Sequence, residues 1–485
     1  MPKFSFIDLF AGIGGFRLAL ESVGGNCLGF SEIAPDAISS YCANYNEGRD
    51  ANLGDITKLT KLPPHDFLTA GVPCQSWSIA GKKLGFDDDR GQLWNDTIYL
   101  LNQSKPKTFI FENVKGLADP RNKKALEYIL ERIREAGYYS HVHILNAFDY
   151  GVPQTRVRIY IIGFRDKEYW QKFSLPFPQP GQVRLSDVLD NVEKPQRVST
   201  DLFGSVWSLS CNENGFNDYF LFNDLRNGGT TIHSWDIQET TERQKSICLL
   251  LLKNRRSRVY GILDGNALSL KHFQSLDSSI KEEELDDLVA LGILKKTQHY
   301  FQICGSTENL SEDEKYLLSF AKADRLIYVD ELKLEKEFRK RKIGITKTLH
   351  DLEQRSIVRC VEFRYDFRNG KISTGLNGIN RIFLPSSNIY PTLVASDTND
   401  YVSTVAIEGH SIKEWREQFM TKVYKAGQFR QITKSEACRI QGFPADFILP
   451  QARARWMKLI GNSVAVPVIR AIAQSIVETG VFNNN

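Results

Sequence analysis

The chain reads as an α/β protein, with a Rossmann-like, doubly wound sheet at its start and a second region carrying a helical insertion. Three features predict this. The run Phe4-Ser5-Phe6-Ile7-Asp8-Leu9-Phe10 has a buried-strand pattern; the glycine turn Ala11-Gly12-Ile13-Gly14-Gly15 and helical apolar spacing over 16–23 follow it. Strand, glycine turn and helix let a backbone approach a nucleotide-like ligand closely. Further apolar runs at 27–30, 66–70 and 108–111 each stop on groups able to do chemistry: Ser31-Glu32, Gly71-Val72-Pro73-Cys74 and Glu112-Asn113-Val114. In doubly wound sheets, ligands gather beyond such strand ends. Finally, Leu175-Pro176-Phe177-Pro178-Gln179-Pro180-Gly181 reads as a linker, and helical spacing dominates after it.

At 485 residues the chain exceeds one simple core, so two or three domains are expected. Apolar content of 42% and charged content of 25% are ordinary for a globular protein. A net charge of +4 permits a nucleic-acid partner without demanding one, because binding depends on local patches. The eight cysteines are scattered without a CxxC pair, which argues against a zinc ribbon or a disulfide framework and fits a reducing cytoplasm. Met1-Pro2-Lys3-Phe4 runs directly into a strand without a secretory apolar region, and the longest pure apolar run is the short 247–252 stretch. No membrane partner and no metal are expected.

Taken in order, the second strand ends on Glu32, placed to meet ribose hydroxyls, with Ile33 beside it. Gly54-Asp55-Ile56 could present Asp55 to an adenine amino group. The third strand displays Cys74. Single cysteines are mostly small apolar fillers, so its neighbours must decide its role. The glycine-, lysine- and aspartate-rich stretch 78–93 reads as a mobile lid or, equally, as a plain surface loop, and a helix is expected over 92–102. The fourth strand brings Glu112 to the same sheet edge as Cys74. After a helix over 123–136 and a strand over 141–146, Gln154, Arg156 and Arg158 alternate, so in an extended segment they share one face. A strand over 159–164 follows.

Beyond the linker, 241–256, 268–276 and 281–294 read as helices and 295–304 as a strand, which is the winged-helix order. The pattern recurs with helices over 312–322, 330–340 and 346–354. Strands over 357–366 and 371–375 then flank Asn369-Gly370, a hairpin turn signal. Arg339-Lys340-Arg341-Lys342 and Lys347 supply cations where a recognition helix would meet phosphates. The other reading is an insertion that packs or contacts protein. Thr433 followed by Glu436 is a capping box opening a helix.

The segments FIDLFAGIGGFRLAL, AGVPCQSWSIAGKKLGFDDDRG, FENVKGL and YGVPQTRVRIYIIGF, with RQITKSEACRIQGFP and GNSV later, resemble the ordered blocks of DNA (cytosine-5) methyltransferases of the bacterial restriction-modification type. They cover 1–165 and about 425–480. The resemblance implies an S-adenosylmethionine-dependent methyltransferase domain over 1–180, completed by about 455–485. It also implies a target-recognition domain over 181–454, within which the helix and strand order read above puts the tandem winged-helix-like insertion at about 238–372.

Catalysis would rest on Cys74 as nucleophile, Glu112 on the cytosine edge, Arg158 on the base carbonyl, Arg156 and Gln154 as positioning groups, and Asn113 on the Pro73-Cys74 loop. S-adenosylmethionine would meet Phe10, Gly12, Gly14, Glu32, Ile33, Asp55, Ile56 and Pro73, with Asn462 and Ser463 returning from the end of the chain. Gln75, Ser78, Lys82, Arg90 and Thr392 would face DNA. Ile33 and Val72 stand where the family often has aromatics. The implied partners are double-stranded DNA and, in function only, a cognate restriction endonuclease; the chain would act as a monomer. A tRNA cytosine-5 methyltransferase is the nearest other class, but those have a compact middle and Cys-Phe-Thr where this chain has Cys74-Gln75-Ser76. A DNA-binding regulator with an inert methyltransferase half is a second alternative, against which all the catalytic groups are present.

Overall fold

The computed structural model describes residues 2–73, 89–179, 183–195, 219–329, 332, 344–409 and 411–483, with backbone alone at 89–91. The chain divides into two compact units, Met1–Tyr219 with Ile382–Asn485, and Phe220–Arg381.

The first unit is built on β1 (Phe4–Leu9), α1 (Gly15–Glu21), β2 (Gly25–Ser31), α2 (Pro35–Tyr45), β3 (Phe67–Gly71), α3 (Asp89–Ser104), β4 (Thr108–Val114), α4 (Lys123–Glu135), β5 (Tyr139–Asn146), β6 (Gln154–Thr155) and β7 (Val157–Phe164). Six strands form one sheet in the order β2-β1-β3-β4-β7-β5. The β1–β2, β1–β3 and β3–β4 pairs are parallel, whereas β7 runs antiparallel to both β4 and β5. The sheet is therefore mixed. Its central strands are apolar on both faces, as a sheet sandwiched between helices must be. Phe6, Phe67, Ile110 and Ile162 enter one core, and Ile7, Leu68, Phe109 and Ile161 enter the other. Alternating positions on each strand thus feed opposite layers.

Arg453–Asn462 and Val466–Glu478 are two late helices of this unit. The span Arg453–Glu478 is long and apolar enough to cross a membrane, but 67% of its most apolar window is buried in the protein. A break at 463–465 divides it, and Val466, Ile469, Ile472 and Ile476 join the core of the sheet. Gly461 and Asn462 close the first of these two helices. Residues 382–485 belong with the first unit, so the division falls elsewhere than the boundary read from the proline-rich stretch at 175–181. The physical reason is that Leu393, Ile432, Ile440 and Val466 share a core with Phe6 and Tyr160.

The second unit carries a four-stranded sheet of Leu268–Ser269, Val358–Phe367, Leu294–Ile303 and Leu326–Tyr328, in that order. Helices Glu242–Asn254, Leu270–Leu276 and Glu282–Ala290 close a core around Ile247, Leu251, Phe273, Leu285 and Leu288. A separate core gathers Leu318, Ile327, Leu349 and Leu352. The hairpin expected at Asn369-Gly370 does not form. Ile372–Thr374 is a 3-10 turn, and Asn369 Nδ2 donates to the Gly375 carbonyl at 2.9 Å. Val358–Phe367 is already paired on both sides, by Leu268–Ser269 and Leu294–Ile303, so no edge was left for a hairpin partner. The helix expected over 330–340 and the basic run 339–342 lie outside the described residues.

Candidate active site

The turn after β1 follows from its glycines. Gly12 and Gly14 sit at φ +56° and +87°, a region that side chains with a Cβ enter at a cost of about 1–2 kcal/mol. A Cβ on Gly12 would meet open space, whereas one on Gly14 would strike the Tyr45 ring at 2.4 Å. The first glycine leaves room above the turn and the second lets a helix close beneath it. Phe10 also has positive φ, 51°. Glu32, just past β2, locks this turn: its Oε2 accepts from Gly12 N at 2.9 Å, and its Oε1 accepts from Ile33 N and Ala34 N, both at 2.8 Å. Ile33 is 68% exposed, an apolar side chain held in the open beside the turn. Asp55 Oδ1 accepts from Thr57 N and Thr57 Oγ1, which holds its carboxyl below the usual carboxylate range, while Ile56 next to it is buried.

Strand register assembles the opposite side. Gly71, the last residue of β3, pairs with Glu112 of β4, and Val114 pairs with Arg158 of β7. A Cβ on Gly71 would lie 4.0 Å from Glu112 Oε2, so this carboxylate stands against the strand end from which Pro73 departs. Arg158 Nε and Glu112 Oε1 form an ion pair at 3.1 Å, with both side chains nearly buried. Burial pushes the Glu112 carboxyl upward, and the Arg158 and Arg156 cations oppose the rise. Asn113 Nδ2 donates to the Val72 carbonyl at 3.1 Å, gripping the chain two residues before Cys74. Glu112 and Asn113 lie within β4 rather than past its end. Cys74, Gln75, Ser78 and Lys82 lie outside the described residues, as does most of the expected lid; Arg90 lies in α3, without a described side chain.

Gln154 and Arg156 are held by partners that Arg158 does not share. Gln154 is in β6, Arg158 is in β7, and Arg156 falls in the break between them, so the shared face expected of one extended segment does not exist. Gln154 Nε2 donates to the Ile440 carbonyl at 3.1 Å and to Gln441 Oε1 at 2.7 Å. Arg156 donates to the carbonyls of Leu393 at 3.1 Å, Gly461 at 3.1 Å and Ser463 at 2.5 Å. Burial, reinforced by the Arg158 cation, pushes Arg156 down to about 9, and it remains charged at neutral pH. Thr392 Oγ1 donates to the Thr155 carbonyl at 2.5 Å. A Cβ on Gly15 would lie 2.9 Å from Ser463 Oγ, so Ser463 closes over the glycine turn while Asn462 is exposed beside it.

Sequence reasoning passed over Asp8. It is fully buried on β1 and accepts from Thr69 Oγ1 of β3 at 2.9 Å, and among the described residues its second carboxyl oxygen has no hydrogen-bond partner. Burial pushes its carboxyl up to about 7, against the pull of Thr69 and Arg17. An acid within an otherwise apolar strand was the available signal. No group of metal-ligating side chains occurs among the described residues.

A mixed sheet with a glycine turn after its first strand, and a nearly buried carboxylate–guanidinium pair on β4 and β7, fits the S-adenosylmethionine-dependent methyltransferase fold. The chain belongs to the C-5 cytosine-specific DNA methylase family, whose model matches residues 4–478. It is 39% identical to the Type II methyltransferase M.HgiBI of Herpetosiphon aurantiacus, over 98% of this chain and 97% of that one. It is 30% identical to M.NlaIV of Neisseria lactamica, over 99% and 100%. To M.HhaI of Haemophilus parahaemolyticus it is 44% identical, over 38% of this chain and 56% of that one.

Proposed function

We propose that this methylase transfers a methyl group from S-adenosylmethionine to C5 of a cytosine flipped out of double-stranded DNA, through a covalent bond between Cys74 and C6. The observation that carries this reading is the Glu112–Arg158 pair, set by strand register beside the strand end that leads to Cys74. The open space over Gly12 and the exposed Ile33 fit a nucleoside cofactor. Phe10, Gly12, Gly14 and Pro73 would line its path, Glu32 would take the ribose hydroxyls, Asp55 and Ile56 the adenine, and Asn462 and Ser463 the open side. S-adenosylmethionine supplies an electrophilic methyl group when bound.

The remaining chemistry belongs to the chain. C5 of cytosine is a poor nucleophile until a thiolate adds to C6 and pushes electron density onto it. Glu112, whose burial favours the protonated form, donates a hydrogen bond or a proton to the ring nitrogen as that density develops, while Arg158 holds the base carbonyl. Loss of the C5 proton to a base then re-forms the C5–C6 double bond and expels the Cys74 thiolate. Asn113, through the Val72 carbonyl, aims the loop; Gln154 and Arg156 hold the chain segments around it. The target must leave the duplex, at a cost on the order of a few kcal/mol. Gln75, Ser78, Lys82, Arg90 and Thr392 would steady the DNA.

The relatives' Type II names support a place in a restriction-modification system; in this reading the enzyme works in the cytoplasm as a monomer, and the cognate endonuclease is a partner in function only. Bisulfite sequencing of DNA incubated with the protein and S-adenosylmethionine tests the reading. Protected cytosines at one sequence motif are expected, and none with Cys74→Ala. Absence of protection with the unaltered protein would sink it.

A further inference from the structure

The second unit is made of two copies of one motif. Helix Glu242–Asn254, strand Leu268–Ser269, helix Glu282–Ala290 and strand Leu294–Ile303 are followed by helix Glu312–Leu318, strand Leu326–Tyr328, helix Ile345–Gln354 and strand Val358–Phe367. Buried positions in the last helix and strand of each copy recur at one constant sequence offset: Leu285 with Leu349, Leu288 with Leu352, Leu294 with Val358 and Phe301 with Tyr365. The copies are interlocked. The short strand of each pairs with the long strand of the other, and the long strands pair antiparallel. Tyr365 and Phe367 accordingly sit in the first copy's core, and Phe301 and Ile303 in the second's.

Helix, short strand, helix pair and long strands is the order of winged-helix modules, and helix-turn-helix proteins place the second helix of the pair in the DNA major groove. In the first copy that pair is Leu270–Leu276 and Glu282–Ala290. At the reading position the copies carry opposite chemistry. The first presents Glu282, Glu283, Asp286 and Asp287 on its exposed face; at the same offset the second presents Thr346, Lys347, His350 and Asp351. The acidic face is held in place, with Lys296 donating to Glu282 and Asp286, both at 3.0 Å. Four carboxylates facing a duplex would meet its phosphates like charge to like, whereas Lys347 beside the Thr346 hydroxyl, the His350 imidazole and the Gln354 amide, with Asp351 the one carboxylate among them, suits phosphates and base edges.

We propose that helix Ile345–Gln354 is a DNA-contacting element of this methylase, with Lys347 on a backbone phosphate and Thr346, His350 and Gln354 toward base edges, and that its acidic twin, Glu282–Ala290, stays off the duplex. This rests on the DNA-methylating reading above.

The test uses the full chain, fragmented genomic DNA and a salt titration. Lys347→Glu with His350→Ala should weaken binding about tenfold or more and lower the salt slope by about 1. Glu283→Lys with Asp287→Lys should change affinity less than the first pair does. All four residues are exposed, and an unchanged thermal midpoint confirms that each variant folds. Unchanged affinity and salt slope in the first variant would overturn the proposal, as would a larger effect from the second pair, which would put the acidic helix at the DNA. Methyl transfer by the unaltered protein, followed in parallel, separates failure of this inference from failure of the parent reading.

Discussion

Five residues of one segment, Gln154 to Arg158, contribute to two neighbouring regions of opposite character. At one end Arg158 meets a single carboxylate, Glu112, beside the end of β3. At the other end Arg156 spends its donors on the carbonyls of Leu393, Gly461 and Ser463, and Gln154 spends its own on Ile440 and Gln441. Both arginines are buried cations. Arg158 has one carboxylate partner, whereas Arg156 ties together distant stretches of chain through its terminal nitrogens, with Nε left unpartnered among the described residues. The difference shows that burial and charge alone do not mark a reacting group; what matters is whether its partners already satisfy it.

The comparison can be broken or sharpened by substitution. Glu112→Gln keeps the shape but cannot act as an acid, so kcat should fall about 10²- to 10⁴-fold with little change in the thermal midpoint. Radiolabelled methyl transfer measures this, and an unaltered kcat would move Glu112 into the bracing group. Arg156→Ala should instead unfold the protein more easily, by about 3 kcal/mol or more in urea denaturation, because the carbonyls it serves are stranded in the interior. If it lowered kcat at full stability, Arg156 would belong with the reacting groups.

Asp8 tests the floor beneath both regions. Its carboxyl sits at about 7 in the folded protein against an ordinary value of 3.8. Between those values the native state holds a proton that the unfolded state releases. This group's contribution to stability is therefore fully present below pH 3.8, falls by about 1.4 kcal/mol per pH unit as pH rises, and is gone above about 7. Denaturant titrations at pH 5 and pH 7 should show that fall in the unaltered protein and a flatter dependence in Asp8→Asn. The smallest effect is expected of Gly12→Ala, about 1 kcal/mol of backbone strain at its positive φ, with a larger loss of S-adenosylmethionine affinity read by calorimetry.

Much of the first unit could be read from its sequence, because strand ends announce themselves when an apolar run stops on Glu32 or Gly71, although the run before Glu112 stops short of the end of β4. Strand direction could not. Nothing in the apolar run of β7 says that it enters antiparallel between β4 and β5. The alternation of Gln154, Arg156 and Arg158 misled because it assumes one unbroken strand, and the acceptors that hold the first two come from far along the chain. Asn369-Gly370 misled for a related reason: a good turn makes a hairpin only if the strand before it still has a free edge.

The seating of Arg156 also has a consequence in time. A ribosome delivers β1 through β7 long before it delivers Gly461, Ser463 and the helix Val466–Glu478 that packs its apolar face into the core of the sheet. Until then Arg156 lacks two of its three carbonyl acceptors, and the glycine turn lacks Ser463 against Gly15. Chains cut short by premature termination therefore carry the catalytic motifs without the means to hold them in register. Arg156 is fully seated only once the stretch that carries Gly461 and Ser463 has been made.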